Sequence, residues 1–123
     1  MKRLVFDLDN TLTINSDRPY HESLPRQNII KKLREYKAAG FEIIISTSRN
    51  VRTYKSNIGK INANTLPVII KWLETHNIPY DEIYVGKPWC GEEGFYIDDK
   101  AIRPSELNAL SYEGIKELLD REK

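Results

Sequence analysis

Short apolar segments alternate along the chain with longer segments in which apolar residues recur at helical spacing. Residues 3–8 and 41–46 are dense in apolar and β-branched side chains, as buried strands are. Between them, a helix is predicted to begin near Pro25 and to end at Gly40, the place of a C-terminal cap. This alternation predicts an α/β fold with a mainly parallel sheet.

The second half of the chain continues the same pattern. It predicts a helix over residues 65–77 with Thr65 as its cap, a third strand over 81–86 and a fourth over 94–97. A last helix is predicted to follow Ser111. The connection between the third and fourth strands is short, and its reach is compatible with either a parallel or an antiparallel fourth strand.

Length, charge and cysteine content narrow the possible classes of protein. The 123 residues suffice for one domain, which we expect to span residues 1–123. The chain has 19 Lys and Arg against 18 Asp and Glu, so its charge gives no argument for a nucleic-acid or membrane partner. Cys90 is the single cysteine, and neither a signal peptide nor an apolar run of membrane-spanning length is evident. We therefore expect a cytoplasmic protein.

Polar side chains follow each of the predicted strands. In open α/β sheets, ligands bind at the carboxyl ends of the strands. The candidate residues are Asp7 and Asp9 after the first strand, Thr47, Ser48 and Arg49 after the second, Lys87 after the third, and Asp98 and Asp99 after the fourth. Because the ends of parallel strands meet at one edge of the sheet, these residues are candidates for a single site.

The first acidic pair indicates phosphoryl chemistry. Asp7 and Asp9 lie two residues apart, so in an extended chain their side chains point to the same side and repel unless a cation or a shared proton compensates. Asp7 could attack phosphorus, while Asp9 could exchange a proton with the leaving alcohol and with water. Lys87 and the Thr47 hydroxyl could stabilise the phosphoryl group, and clustered carboxylates suit Mg²⁺. The plain alternative is that the two acids cap a turn.

Four segments resemble the motifs of the haloacid dehalogenase superfamily of phosphohydrolases, and they occur in the family's order. They are "FDLDNTLT", "IIISTSRN", "YVGKP" and "GFYIDD". The resemblance covers essentially the whole chain and implies a three-layer, Rossmann-like sandwich. Only about 15 residues separate the first motif from the first helix, which leaves room for a flap but not for a cap domain. Water would then be excluded by the flap, by a second copy of the chain covering the open site, or by the substrate.

The resemblance also implies roles for individual residues. Asp7 matches the nucleophile and a Mg²⁺ ligand, and Asp9 matches the general acid and base, with its backbone carbonyl on the metal. Asp98 matches a metal-ligating acid, and Asp99 would ligate the metal directly or through water. Thr47 and Lys87 match the catalytic hydroxyl and lysine. An acid at position 9 is typical of phosphatases and phosphotransferases.

The stretches "GKIN", "YDEIYVGKPWCG" and "DDKAIRPSE" further resemble the small capsule-polysaccharide biosynthesis phosphatases. This implies a sugar phosphate, or a related precursor of a surface glycan, as substrate. The basic segment 48–64 shows no periodicity, and Ser48, Arg49 and Arg52 in it are candidates for substrate binding. The alternative for this segment is an ordinary solvated loop.

Two other functions compete with a sugar phosphatase. One is a phosphatase acting on nucleic-acid ends, which an open site would allow but which should have a basic groove with stacking aromatic residues. The near-neutral charge of the chain argues against it. The other is a module that binds phosphorylated ligands without turnover. The acid at position 9 argues against that, since a binder has no use for it.

Overall fold

A parallel three-stranded sheet carries the fold in the computed structural model, which describes residues 1–14 and 16–123. The strands are β1 (Arg3–Phe6), β2 (Glu42–Ser46) and β3 (Glu82–Tyr84), in the spatial order β1-β2-β3. Both pairings are parallel. The α/β fold with a parallel sheet that the pattern predicts is therefore confirmed, although β1 ends two residues earlier than expected.

The helices of the described residues are α1 (Gln27–Ala38), α2 (Ile58–Asn64), α3 (Leu66–Thr75), α4 (Pro104–Ala109) and α5 (Tyr112–Asp120), with a short 3₁₀ turn at Tyr20–Glu22. The predictions of α1, α3 and α5 are confirmed. Ser111 caps α5 as predicted, because its hydroxyl accepts the Gly114 amide at 3.1 Å. Thr65 makes no such bond at the start of α3, and its hydroxyl donates instead to Asn50 Oδ1 at 2.7 Å.

Both faces of the central strand are covered. Ile43, Ile44 and Ile45 follow one another on β2, and all three are buried. Successive side chains of a strand point to opposite faces, so apolar groups pack against each side of the sheet. Leu33 of α1 and Leu73 of α3 are buried in the same core. The sheet is therefore fixed firmly enough to position the loops that follow its strands.

The described residues form two compact units, Met1–Trp89 and Cys90–Lys123. The first contains the sheet and α1 to α3, and the second contains α4 and α5. The prediction of one domain over residues 1–123 stays a prediction. Within the described parts of the chain, every helix is too short or too polar to cross a lipid bilayer.

The prediction of a fourth strand over residues 94–97 is wrong. No ladder is formed there with any strand in the described part of the chain, and Phe95, Tyr96 and Ile97 are exposed. A short apolar segment forms a strand only when a neighbouring strand supplies ladder hydrogen bonds, and the pattern of apolar residues cannot reveal such a neighbour.

The segment 48–64, in which the sequence shows no periodicity, contains the helix α2. This helix begins where Asn57 Oδ1 accepts the Lys60 amide at 3.1 Å.

Asp81 joins the end of α1 to the sheet. Both of its carboxylate oxygens accept from Lys37 Nζ at 2.8 Å, and Oδ2 also accepts the Ile43 amide at 2.8 Å. These bonds hold the pKa of Asp81 below its ordinary value, and the hydrogen bond from Lys37 has the largest effect. The stability that Asp81 contributes is therefore present above its unfolded pKa and is lost as the pH falls through its lower, folded pKa.

We expect Asp81→Asn to remove part of the acid sensitivity of folding. The wild type should lose more stability than Asp81→Asn between about pH 5 and pH 2, because only the carboxylate gains protons there. Urea midpoints at several pH values measure this difference. Glu35→Gln, which replaces an exposed acid of α1, is the control and should follow the wild type. Parallel pH dependences of wild type and Asp81→Asn would contradict the prediction.

Candidate active site

A tight turn after β1 presents the first acidic pair. The Leu8 carbonyl accepts the amides of Thr11, Leu12 and Thr13 at 3.2, 2.9 and 3.1 Å, so the chain turns back directly after the strand. Leu8 is fully buried, whereas its neighbours Asp7 and Asp9 are only half-buried. Side chains alternate along an extended chain, so the burial of Leu8 turns the two acids away from the core.

The loops after β2 and β3 are tied together at Thr47. The Thr47 amide donates to the Tyr84 carbonyl at 3.0 Å, and the Thr47 carbonyl accepts the Lys87 amide at 3.1 Å. The buried Thr47 hydroxyl accepts the Arg49 amide at 3.1 Å. Its O–H has no acceptor within the described residues, and it can therefore donate to a ligand.

Lys87 and Thr11 contact the carboxylate of Asp7. Lys87 Nζ lies 3.9 Å from Oδ1, and the Thr11 hydroxyl donates to Oδ2 at 3.3 Å. Burial raises the pKa of Asp7, and the charge of Asp9 adds to that rise. Lys87, the Leu8 amide and Thr11 oppose it without cancelling it. The ionised form of Asp7 is therefore poorly solvated, and a further cation at this point would stabilise it.

Arg49 holds the carboxylate of Asp9. Its Nε and Nη2 donate to Asp9 Oδ2 and Oδ1 at 3.1 and 2.8 Å. Its side chain is 1% exposed, and its guanidinium stacks 4.1 Å from the centroid of the Tyr20 ring. The sequence predicts Arg49 as a substrate contact, and the structure adds a partner, Asp9, that the sequence did not indicate.

The flap, which runs between β1 and α1, carries Tyr20. An antiparallel bridge between Thr13 and Pro25 closes its base, and Trp72 Nε1 donates to the Ser23 carbonyl at 2.8 Å. This bond fixes the flap to α3. Asn15, a residue type that favours turns, also belongs to the flap sequence but lies outside the described residues.

The remaining predicted site residues are Ser48 and Arg52 in the first unit and Asp98 and Asp99 in the second. Ser48 is half-buried, and the Arg52 guanidinium lies 5.2 Å from the centroid of the Trp89 ring. Asp98 and Asp99 are exposed in the second unit, where Asp98 Oδ1 accepts the Lys100 amide at 2.8 Å. Metal ligation by Asp98 and Asp99 stays a prediction.

The first unit offers oxygen ligands of the kind that Mg²⁺ prefers. Mg²⁺ keeps several waters and needs only one or two protein carboxylates. The poorly solvated carboxylate of Asp7 suits this role. The carboxylate of Asp9 is already held by Arg49, so the oxygen that Asp9 would offer to a metal is its backbone carbonyl. Among the residues that the structure describes, no group of three or more His, Cys, Asp and Glu side chains is arranged to hold a metal ion. The fit therefore rests on Asp7 and Asp9.

Gly86, directly before Lys87, has a backbone conformation that favours glycine. Its φ of +80° lies in the left-handed region, and a Cβ at this position would overlap the side chain of Ile58. We expect Gly86→Ala to cost roughly 1–2 kcal/mol of stability and also to lower turnover by displacing Lys87. Urea unfolding and activity assays measure the two effects.

The matched control for Gly86→Ala is Gly40→Ala. Gly40 has a φ of +96°, but a Cβ there would meet nothing within 4 Å. Gly40→Ala should therefore lose stability through backbone strain while keeping its activity. Equal turnover by the two folded variants would show that Gly86 has no part in placing Lys87.

Sequence reasoning missed two residues of the site, Thr11 and Tyr20. Thr11 had a signal, because it is the threonine of the DxDxT pattern in "FDLDNTLT". Tyr20 had none, since its stacking on Arg49 depends on the path of the flap.

Comparisons with known proteins agree with this picture. Residues 4–120 match the family described as haloacid dehalogenase-like hydrolase. A crystal structure of a structural-genomics target from Vibrio cholerae is 58% identical in sequence, with a TM-score of 0.95 over 100% of both chains. No curated protein matches the chain.

Proposed function

The chain belongs to the haloacid dehalogenase-like hydrolase family, and from this premise we propose that it is a Mg²⁺-dependent phosphomonoesterase that works through an aspartyl-phosphate. The observation that carries the proposal is the arrangement around Asp7. Its half-buried carboxylate, at the end of β1, lies beside the ammonium group of Lys87 and accepts from Thr11. A nucleophile that must approach a phosphate dianion needs such a cation next to it.

The first half of the proposed reaction forms the phosphoenzyme. A carboxylate oxygen of Asp7 attacks phosphorus, the bond from phosphorus to the ester oxygen breaks, and the leaving oxygen takes a proton from Asp9. In the second half, water attacks the phosphoryl group and gives a proton to Asp9. The bond between phosphorus and Asp7 then breaks, which releases phosphate and restores the carboxylate.

The surrounding residues have separate tasks in these steps. Lys87 and the Thr47 hydroxyl would contact the phosphoryl oxygens and stabilise their charge. Mg²⁺, held by the Asp7 carboxylate and the Asp9 carbonyl, would neutralise charge on the phosphoryl group. The two bonds from Arg49 orient the ionised Asp9 carboxylate as an acceptor, which is the form it needs when water gives up its proton. In the first half Asp9 must carry a proton on one oxygen, so it then keeps the bond from Arg49 on the other oxygen alone.

We further propose that the substrate is a sugar phosphate from the biosynthesis of a surface polysaccharide. The resemblance of "GKIN" and "DDKAIRPSE" to the capsule-polysaccharide phosphatases supports this class. The near balance of 19 basic and 18 acidic residues supports a small substrate over a nucleic-acid end. A second copy of the chain covering the open site would help to exclude water.

The test is phosphate release from a panel of hexose phosphates, nucleotides and 5′-phosphorylated oligonucleotides, each with Mg²⁺ and with EDTA. We expect Mg²⁺-dependent release that is fastest from a hexose phosphate. Fastest release from oligonucleotide ends would move the substrate class to nucleic acid. No release from any compound by folded protein, together with tight binding of one of them, would favour a binding module and contradict the proposal.

A further inference from the structure

A small pocket with a mixed polar and apolar lining adjoins the guanidinium that holds Asp9. Its volume is about 220 Å³. The lining residues are Tyr20 and His21 of the flap, Arg49 and Asn50 after β2, Asn64 and Thr65 where α2 meets α3, and Val68 of α3. This volume is below the ~300–1,000 Å³ of pockets for drug-sized ligands. The pocket therefore suits one small ring rather than a nucleotide.

One nitrogen of Arg49 lacks the partner that its burial calls for. Nε and Nη2 donate to Asp9, whereas Nη1 is buried without a hydrogen-bond acceptor among the described residues. The Arg49 side chain is 1% exposed, so water does not solvate this group from outside. Buried donors in folded proteins nearly always have an acceptor. Because Arg49 also lines the pocket, its orphaned Nη1 points to an acceptor supplied by a bound ligand.

The chemistry of the lining selects an uncharged, hydroxylated ligand. Asp9 balances the charge of Arg49, and amides and hydroxyls supply most of the other polar groups. His21 Nε2 lies 3.6 Å from Glu22 Oε1. The pocket thus offers hydrogen bonds without an unbalanced charge, which favours hydroxyl groups over a carboxylate or a second phosphate.

Asn64, an exposed residue of the pocket lining, can accept from such a ligand. Its Nδ2 donates to the Lys60 carbonyl at 2.9 Å, which leaves its side-chain oxygen without a donor among the described residues. Arg49 Nη1 supplies the complementary donor. A hydroxyl group both donates and accepts, so a polyol can satisfy both residues.

We propose that this pocket binds the leaving group of the substrate, a single sugar ring, through hydroxyl contacts with Arg49 Nη1 and Asn64. This inference rests on the proposed phosphomonoesterase activity and names the subsite that selects its substrate. Arg49 then contacts the sugar with one nitrogen and Asp9 with the other two. The sugar is thereby held next to the acid that protonates its leaving oxygen.

The test compares Asn64→Ala with Asn62→Ala, an exposed Asn on the same helix that does not line the pocket. Each variant is assayed with hexose 1- and 6-phosphates and with phenyl phosphate, which has no hydroxyl group on its ring. Loss of one neutral hydrogen bond should lower kcat/KM for the best hexose phosphate about 3- to 10-fold in Asn64→Ala. Phenyl phosphate turnover, and both activities of Asn62→Ala, should stay at wild-type values.

Two outcomes overturn the inference while the proposed function stands. One is an equal effect of Asn64→Ala on phenyl phosphate and hexose phosphate, and the other is turnover of phenyl phosphate alone. If neither compound is hydrolysed, the proposed function fails separately. The pocket is then tested by titrating the wild type with the free hexoses, read by the amide NMR shifts of residues 64 and 65. Shifts lost in Asn64→Ala support the pocket, and no shifts overturn it.

Discussion

Asp7→Asn is expected to abolish phosphate release while making the metal-free protein more stable. An amide cannot form the acyl phosphate, so turnover should fall by at least ~10³-fold, as it does when a covalent nucleophile is removed. The expected gain in stability has a different cause. Burial raises the pKa of Asp7, and Asp9 adds to that rise. Ionising Asp7 in the folded protein therefore carries a cost that a neutral Asn avoids.

The sign of the pH dependence follows from this shift. A carboxyl whose pKa is raised by folding stabilises the protein below its unfolded pKa, about 3.9, and loses that contribution as the pH rises through the folded value. Near pH 7 the wild type bears the full cost of the charge. In EDTA, Asp7→Asn should therefore unfold at a higher temperature than the wild type at pH 7, and the difference should shrink towards pH 4.

Asp120→Asn is the control for both effects. Asp120 is an exposed acid paired with Lys123 at the end of the chain, so its replacement should change neither turnover nor the melting temperature appreciably. Thermal unfolding in EDTA and phosphate release in Mg²⁺ measure the three proteins side by side. Turnover by Asp7→Asn within tenfold of the wild type would contradict the role of nucleophile. A lower melting temperature would contradict the electrostatic argument.

Arg49→Met is expected to destabilise the fold by about 1–3 kcal/mol. Removing the guanidinium breaks two hydrogen bonds and leaves Asp9 without its cation. The loss of stability should be smaller than the loss caused by breaking a fully buried ion pair, because the Asp9 side chain is 33% exposed. Arg52→Met is the matched control on the same loop, and its exposed side chain should contribute less than about 0.5 kcal/mol.

A double-mutant cycle isolates the pair. The wild type, Arg49→Met, Asp9→Asn and the double variant are unfolded in urea, and the coupling energy between the two positions should be about 1–3 kcal/mol. A coupling energy near zero would mean that Arg49 stabilises the fold through its packing on Tyr20 alone. The bidentate geometry would then have no energetic role.

The elements that could be predicted from sequence are those with a strong period or a dense apolar run. The helix α1 buries Ile29, Ile30 and Leu33 at helical spacing, and β2 buries three successive isoleucines. The helix α2 gave no such signal because Ile61 is its one buried residue. The opposite error occurred at 94–97, where an apolar run has no ladder partner in the described structure.

Some residues of the candidate site could be predicted from their local sequence, whereas others depend on contacts between residues that are distant in the chain. The rule that ligands bind at strand ends pointed to Asp7, Thr47 and Lys87, and the structure brings Lys87 to both of the others. The partner of Arg49 could not be predicted. Asp9 lies 40 residues away from it, and the stacking of Tyr20 depends on the fold of the flap.

The phosphoenzyme tests the central claim most directly. The protein is mixed with its best substrate and Mg²⁺, quenched in acid within one turnover, digested, and examined by mass spectrometry. We predict that the peptide containing Asp7 carries one phosphoryl group in the wild type, and that Asp7→Asn carries none. Rapid phosphate release by the wild type with Asp7 unmodified at every quench time would contradict the account, because water would then attack the substrate directly.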